Sequence, residues 1–80
     1  MPGGRLGAKP SREVIRLLRH FGFVRKRHGT HGDIYEGERH GQRCVVTVPL
    51  GRETILPRTL SSLLEQARIS TEQAIEFFRQ

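Results

Sequence analysis

A chain of 80 residues with nine glycines and four prolines has room for one small domain, which excludes a multidomain architecture. No apolar run approaches the roughly 20 residues that cross a bilayer, and MPGGRLGAK at the N-terminus lacks the apolar stretch of a signal peptide, so we expect a cytoplasmic protein without a membrane partner. The single cysteine, Cys44, excludes an internal disulfide and cannot build a zinc site by itself.

The positive charge is concentrated in the first half of the chain. Of 14 Lys and Arg and eight Asp and Glu residues, ten basic and four acidic ones lie at positions 1–43, so that half carries the whole net charge of +6. Twelve of the bases are Arg, whose planar guanidinium matches pairs of phosphate oxygens. This distribution favours a nucleic-acid partner over a basic surface that only confers solubility.

Residues 1–9 are predicted to form a flexible arm. Residues 10–80 are predicted to form a single domain. The domain opens with an amphipathic helix that has Ser11 as its N-cap and ends at Gly22. Its apolar face holds Val14, Leu17, Leu18 and Phe21, widened by Ile15, and its opposite face holds Arg12, Arg16 and Arg19, which are predicted to project together into solvent.

Three short β-strands follow the first helix. Arg25 and Arg27 are predicted on one face of the first strand and Val24 on the other, because side chains alternate along a strand. Tyr35 in the second strand suits either stacking on a base or a place in the core. Short connections between consecutive strands indicate an antiparallel meander, with strands at 23–27, 33–36 and 44–48 and turns at 28–32 and 37–41.

Two helices close the chain. The first is predicted at 58–67 with an apolar stripe, and Ser70 with Gln73 forms a capping box for a short last helix. The order helix, three antiparallel strands, helix and short C-terminal helix predicts an α+β domain of the double-stranded RNA-binding type. The stripe of the first of these helices consists of Leu60, Leu63, Leu64 and Ala67.

The most basic stretch, RKRHGTHGD, places two of the four histidines around a Gly-Thr turn. RNA cleavage by transesterification needs a base for the 2′-hydroxyl and an acid for the leaving 5′-oxygen, and imidazole serves as either near neutral pH without a metal. His31 is the candidate proton-transfer group, and His28 is the alternative that the turn leaves open. Arg25, Lys26 and Arg27 beside them are placed to stabilise the developing charge.

Two segments, LLRHFGFVRKRHGTH and VVTVPLGRETILPRTLSSLLEQARIS, resemble the HicA toxins of toxin–antitoxin pairs, from about position 11 to position 75. The resemblance implies a double-stranded RNA-binding-like fold and cleavage of mRNA without metal or cofactor, with His31, after Gly29 and Thr30, as catalytic residue. It also implies a cognate HicB-type antitoxin as partner, and contact with DNA only through the toxin–antitoxin complex. Two positions depart from the family pattern: the turn between His31 and Tyr35 is one residue longer, and Arg68 replaces a glycine.

A second reading of the same features is an RNA-binding module without catalysis. A DNA-binding regulator has less support, because no helix-turn-helix pattern is visible. In both RNA-related readings the residues expected to bind RNA are Arg12, Arg16, Arg19, Arg25, Lys26, Arg27, His28 and Thr30.

Overall fold

The structure, a computed structural model, describes residues 6–49 and 54–79. Within these residues no helix is long and apolar enough to cross a membrane. The elements are β1 (Lys9–Pro10), α1 (Ser11–His20), β2 (Val24–His28), β3 (Asp33–Arg39), β4 (Gln42–Val48), β5 (Thr54–Ile55), α2 (Pro57–Ala67) and α3 (Thr71–Arg79).

Helix α1 buries the apolar face that its sequence predicts. Val14, Leu17 and Leu18 are at most 1% exposed, and the flanking Ile15 and Phe21 pack against them from the margin. The prediction of Ser11 as N-cap is wrong: the cap position is Pro10, which is extended, and no side chain caps this helix. The helix begins at Ser11 itself because the extended strand β1 ends directly before it.

Helix α2 also forms as predicted, one residue earlier at its start. Pro57 occupies the first turn, where its missing N–H leaves no hydrogen bond unmade. Arg68 follows the last turn in the left-handed conformation, with φ of 56°. The predicted apolar stripe is buried at all four positions, Leu60, Leu63, Leu64 and Ala67.

Strands β2, β3 and β4 form the predicted antiparallel meander. Tyr35 is 3% exposed, which assigns it to the core and removes it as a base-stacking residue. The predicted turn at 37–41 is wrong, because β3 continues to Arg39 and the turn has only two residues, His40 and Gly41, with φ of 54° and 77°. A turn with positive φ at both central residues is of type I′, and its backbone matches the twist of the two flanking strands.

Gly37 belongs to this ladder for a steric reason. It pairs with Cys44 on β4, and a Cβ at position 37 would lie 2.8 Å from the ring of Phe23. Phe23 is 1% exposed, so the glycine serves the close approach of a buried ring to the sheet. The sequence signal of Gly37 therefore marks packing and not a turn.

A second, two-stranded sheet joins the start of the domain to the residues before α2. Lys9 pairs with Ile55 and Pro10 with Thr54 in an antiparallel register. Leu6 packs against the core from the same end of the chain. Residues 1–5 of the predicted arm lie outside the described residues, and the domain boundary at Pro10 stays a prediction.

The capping box of α3 forms as predicted. The Ser70 backbone N–H donates to Gln73 Oε1, and the Gln73 backbone N–H donates to Ser70 Oγ, both at 3.0 Å. Arg39, at the end of β3, donates from Nη2 to Gln73 Oε1 and to the Arg68 carbonyl, at 3.2 and 3.3 Å. Helix α3 is thus joined to the sheet, and its Ala74 is fully buried.

Both longer helices share one hydrophobic cluster with the inward side chains of the sheet, among them Tyr35, Val46 and Val48. The opposite face of the sheet is open, with Val24 53% and Val45 47% exposed. The fold is α+β with a three-stranded antiparallel sheet, flanking helices and a C-terminal helix, consistent with the double-stranded RNA-binding-like fold that the sequence predicts.

Candidate active site and nucleic-acid interface

The turn between β2 and β3 is closed by backbone contacts. His28 and Asp33 form the last pair of the ladder, and beyond them the Gly29 N–H donates to the Gly32 carbonyl at 2.7 Å. Thr30 and His31 lie between these two glycines and are exposed. The turn, which has one residue more than the pattern described above, therefore forms a four-residue loop closed by the hydrogen bond between Gly29 and Gly32.

Gly32 anchors this turn to the body of the domain. Its φ is +149°, and a Cβ there would lie only 2.2 Å from the Val48 carbonyl oxygen, so the backbone fits against β4 only without a side chain. Gly32 itself is buried. The residue directly before it, His31, is therefore presented from a backbone that is held at one point against the end of β4.

His28 and Asp33 form a side-chain pair across the hairpin. Nδ1 of His28 lies 2.9 Å from Asp33 Oδ1, and Arg25 Nη1 lies 3.4 Å from Asp33 Oδ2. The Asp33 side chain is 12% exposed, whereas that of His28 is 68% exposed. A nearly buried carboxylate thus holds two exposed cationic or ionisable groups at the base of the turn.

The protonation of this pair follows from its hydrogen bonds. The hydrogen bond with His28 lowers the pKa of Asp33, and Arg25 lowers it further, while burial opposes both. The carboxylate is therefore ionised at neutral pH and only accepts hydrogen bonds. Nδ1 of His28 must donate, which leaves its Nε2 as the ring nitrogen that can take up a proton in the neutral imidazole.

Strand β2 divides its basic residues between the two faces of the sheet. Arg25 pairs with the buried Tyr35, but Arg27 pairs with Ile34, because the register shifts between them. The prediction that Arg25 and Arg27 share a face is wrong, since a β-bulge inserts one residue and reverses the alternation beyond it. Val24 and Arg27 consequently share the outer face.

The arginines of α1 are all exposed but differ in their surroundings. Arg16 is paired with Glu13 at 2.7 Å, and its guanidinium carbon lies 5.4 Å from the Phe77 ring centre. Arg19 and Arg25 line a common cleft of about 470 Å³ between the end of α1 and β2. The structure thus links one arginine of the helix to the strand that carries His28.

The predicted site residues therefore fall into groups. Arg25 and His28 share the Asp33 carboxylate, Arg19 joins them through the cleft, and Thr30 and His31 occupy the adjoining turn. Arg12, Lys26 and Arg27 are exposed without a described link to this group. Sequence reasoning missed Asp33, and the available signal is the one acidic residue that closes the basic stretch RKRHGTHGD.

The other histidines and the cysteine lie elsewhere. His20 contacts Phe21 and Phe77, with ring centres 5.1 Å apart in both cases. His40 belongs to the two-residue turn, and Cys44 is buried. In the described parts of the chain, no three His, Cys, Asp or Glu side chains are grouped as ligands for a metal ion.

A protein-family model described as "HicA toxin of bacterial toxin-antitoxin" matches residues 11–69. The match includes α1, the whole three-stranded sheet with its His-containing turn, and α2. No curated protein and no solved structure matches the chain.

Proposed function

Because the chain belongs to the HicA toxin family and is the toxin of a toxin–antitoxin system, we propose that it is a ribonuclease that cleaves mRNA without a metal or cofactor. The observation that carries this proposal is the anchored turn, in which His31 stands exposed next to a pair of side chains suited to proton transfer. The hairpin that carries this turn also carries Arg25, whose guanidinium group attracts the phosphate backbone.

The chemistry assigned to His31 is proton transfer during transesterification. The ribose 2′-oxygen loses its proton and bonds to phosphorus, and the bond from phosphorus to the 5′-oxygen breaks as that oxygen gains a proton. The products are a 2′,3′-cyclic phosphate and a free 5′-hydroxyl, with no oxidant, reductant or water consumed. A positioned imidazole contributes typically about 10²- to 10⁴-fold to such a step.

The remaining predicted residues are proposed to bind the RNA backbone. The cleft between Arg19 and Arg25 supports this role, because two guanidinium groups at one opening suit a phosphate. Arg25 also contacts Asp33, so one arginine of the cleft is joined to the carboxylate beside the turn. The proposed contacts are Arg12, Arg16, Arg19, Arg25, Lys26, Arg27, His28 and Thr30.

The proposed partner besides mRNA is a cognate HicB-type antitoxin. It would cover the basic surface in the cytoplasm, and the toxin would meet DNA only as part of the toxin–antitoxin complex. The net charge of +6 suits an inhibitor with an acidic contact surface.

His31→Asn replaces the imidazole by an uncharged side chain of similar polarity. We expect the variant to bind RNA but to cleave it at least about 10²-fold more slowly, because a side-chain amide cannot act as a general acid or base at neutral pH. Cleavage of a labelled transcript is measured in EDTA, with protein folding checked by circular dichroism.

His40→Asn is the matched control, since His40 is also exposed in a turn and Asn tolerates its positive φ. The control variant should cleave as fast as the parent. Equal rates for parent and His31→Asn would contradict the assignment of His31, and loss of cleavage in EDTA would contradict a metal-free reaction. RNA binding by the parent without any cleavage would identify a binding module instead.

A further inference from the structure

Asp33 has no part in the proposed function so far, yet its carboxylate is the best-enclosed charged group beside the turn. We propose that Asp33 is a positioning residue, which orients the imidazole of His28 so that His28 acts with His31 as a pair of proton-transfer groups. This inference rests on the proposed ribonuclease activity and deepens it.

The hairpin register supplies the geometry. His28 and Asp33 are cross-strand partners at the last position of the β2–β3 ladder, so their side chains leave the sheet on the same face. The distance of 2.9 Å between Nδ1 and Oδ1 is that of a good hydrogen bond. The imidazole is thereby held at one nitrogen, and the other nitrogen, Nε2, is on the far side of a ring that is largely exposed.

Both carboxylate oxygens of Asp33 are engaged. Oδ1 accepts from His28 and Oδ2 accepts from Arg25, so the carboxylate cannot rotate without losing one contact. On its other side Asp33 pairs with Val48 of β4, which brings no charge. The negative charge is thus shared by two cationic or ionisable side chains of β2 and does not face an incoming phosphate directly.

An orienting carboxylate is a known means of preparing an imidazole for catalysis. It fixes the tautomer that leaves the second nitrogen free as a base, and it stabilises the imidazolium after the proton has arrived. A surface histidine that only attracts phosphate has no need of a nearly buried carboxylate, which reduces the positive charge around it. The arrangement therefore suits proton transfer better than simple phosphate binding.

The reaction then has a base and an acid. Nε2 of His28 takes the proton of the 2′-hydroxyl as the 2′-oxygen bonds to phosphorus. The bond from phosphorus to the 5′-oxygen breaks, and protonated His31 gives its proton to that oxygen. His28 ends protonated and His31 neutral, and exchange with solvent restores both.

A double-mutant cycle tests the proposal. We expect His28→Ala to slow single-turnover cleavage by about 10²-fold and Asp33→Ala by about 10- to 10²-fold. If Asp33 acts through His28, adding Asp33→Ala to His28→Ala changes the rate by less than about twofold. An equal loss from Asp33→Ala in both backgrounds would overturn the proposal, because Asp33 would then act without His28.

Two further variants control for folding. Glu36→Ala removes another β3 carboxylate, which is paired with Arg43 at 2.9 Å on the opposite face, and should leave the rate unchanged. Asp33→Asn keeps the size of the side chain and replaces Asp33→Ala in the cycle if the alanine variant does not fold.

The tautomer of His28 gives a readout that needs no RNA. In ¹⁵N-edited NMR spectra at a pH where His28 is neutral, we expect the Nδ1–H form in the parent and in Glu36→Ala, and a changed tautomer population in Asp33→Ala. An unchanged population in Asp33→Ala would overturn the positioning role.

The outcomes separate this inference from the proposed function. Normal cleavage by His28→Ala overturns the role of His28 and leaves the ribonuclease activity and His31 intact. Absence of cleavage by the parent overturns the proposed function, and the pair of catalytic imidazoles with it.

Discussion

Gly32 is the residue at which the candidate site depends most directly on backbone geometry. Gly32→Ala should destabilise the domain by about 2–3 kcal/mol, because the new methyl group meets the Val48 carbonyl in a backbone conformation that side chains avoid. Urea unfolding monitored by circular dichroism measures this loss. RNA cleavage should fall as well, since His31 is the preceding residue.

Gly41→Ala is the matched comparison for that change. Gly41 also has a positive φ, but no atom lies within 4 Å of the position that its Cβ would take. Its substitution should therefore cost only the backbone penalty of about 1–2 kcal/mol. A cost for Gly32→Ala no greater than that for Gly41→Ala would contradict the anchoring of the turn by Gly32.

At the residue scale, the sequence predicts the turn but not the pair beneath it. Gly29 and Gly32 around Thr30 and His31 are a sufficient signal for a turn that presents a histidine. The pairing of His28 with Asp33 depends on which residues stand opposite one another in the hairpin. The length of the turn decides this pairing. The one-residue bulge farther along β2 brings Arg25 onto the same face as Asp33, and no composition rule predicts its position.

At the element scale, α2 ends in a conformation that its residue does not favour. Arg68 is left-handed and exposed, and its N–H donates to the last-turn carbonyls of Glu65 and Leu64. Arg68→Gly should stabilise the domain by about 0.5–1 kcal/mol, because glycine adopts this conformation without the penalty of a Cβ. The rise in the urea midpoint measures the gain.

The backbone interactions around that position should persist in the variant. The Ile69 N–H donates to the Leu64 carbonyl, and the Arg68 carbonyl accepts from Arg39. Neither contact uses the Arg68 side chain. A destabilised Arg68→Gly variant would therefore show that the side chain contributes more than its conformation costs.

The elements themselves are largely predictable, and the exceptions have physical reasons. Helical apolar spacing is a strong signal over ten residues, so α1 and α2 and their buried faces follow from the sequence. Strands β1 and β5 have two residues each, too few for any alternation to be recognised. Gly37 misleads because glycine serves both turns and close packing, and only the neighbouring Phe23 ring distinguishes the two.

At the scale of the whole molecule, two arginines from the basic first half of the sequence, Arg19 and Arg25, line one cleft beside strand β2. If these arginines bind phosphates, the logarithm of the association constant for RNA should fall linearly with the logarithm of the salt concentration. Removing one phosphate contact by Arg19→Gln should reduce the slope by about 0.7 for single-stranded RNA. Fluorescence anisotropy at four or more salt concentrations measures the slope, with all variants made in the His31→Asn background so that the RNA probe stays intact.

Arg58→Gln is the control for this measurement, because Arg58 is an exposed arginine of α2 outside the proposed interface. The two variants lose the same charge, so any effect of net charge alone is equal in both. Equal slopes for Arg19→Gln and Arg58→Gln would mean that RNA affinity depends only on the net charge of the protein. The Arg19–Arg25 cleft would then not be a phosphate site.

The two-stranded sheet of β1 and β5 lies partly outside the segment that the family model matches, because β1 precedes residue 11. The family model matches the segment that begins after β1 and ends before α3. The packed structure extends beyond that segment, since Lys9 and Pro10 pair with β5 and Ala74 of α3 is fully buried. A truncated or fused protein with its boundaries at residues 11 and 69 would therefore lose the β1–β5 pairing at one end and the buried interface of α3 at the other.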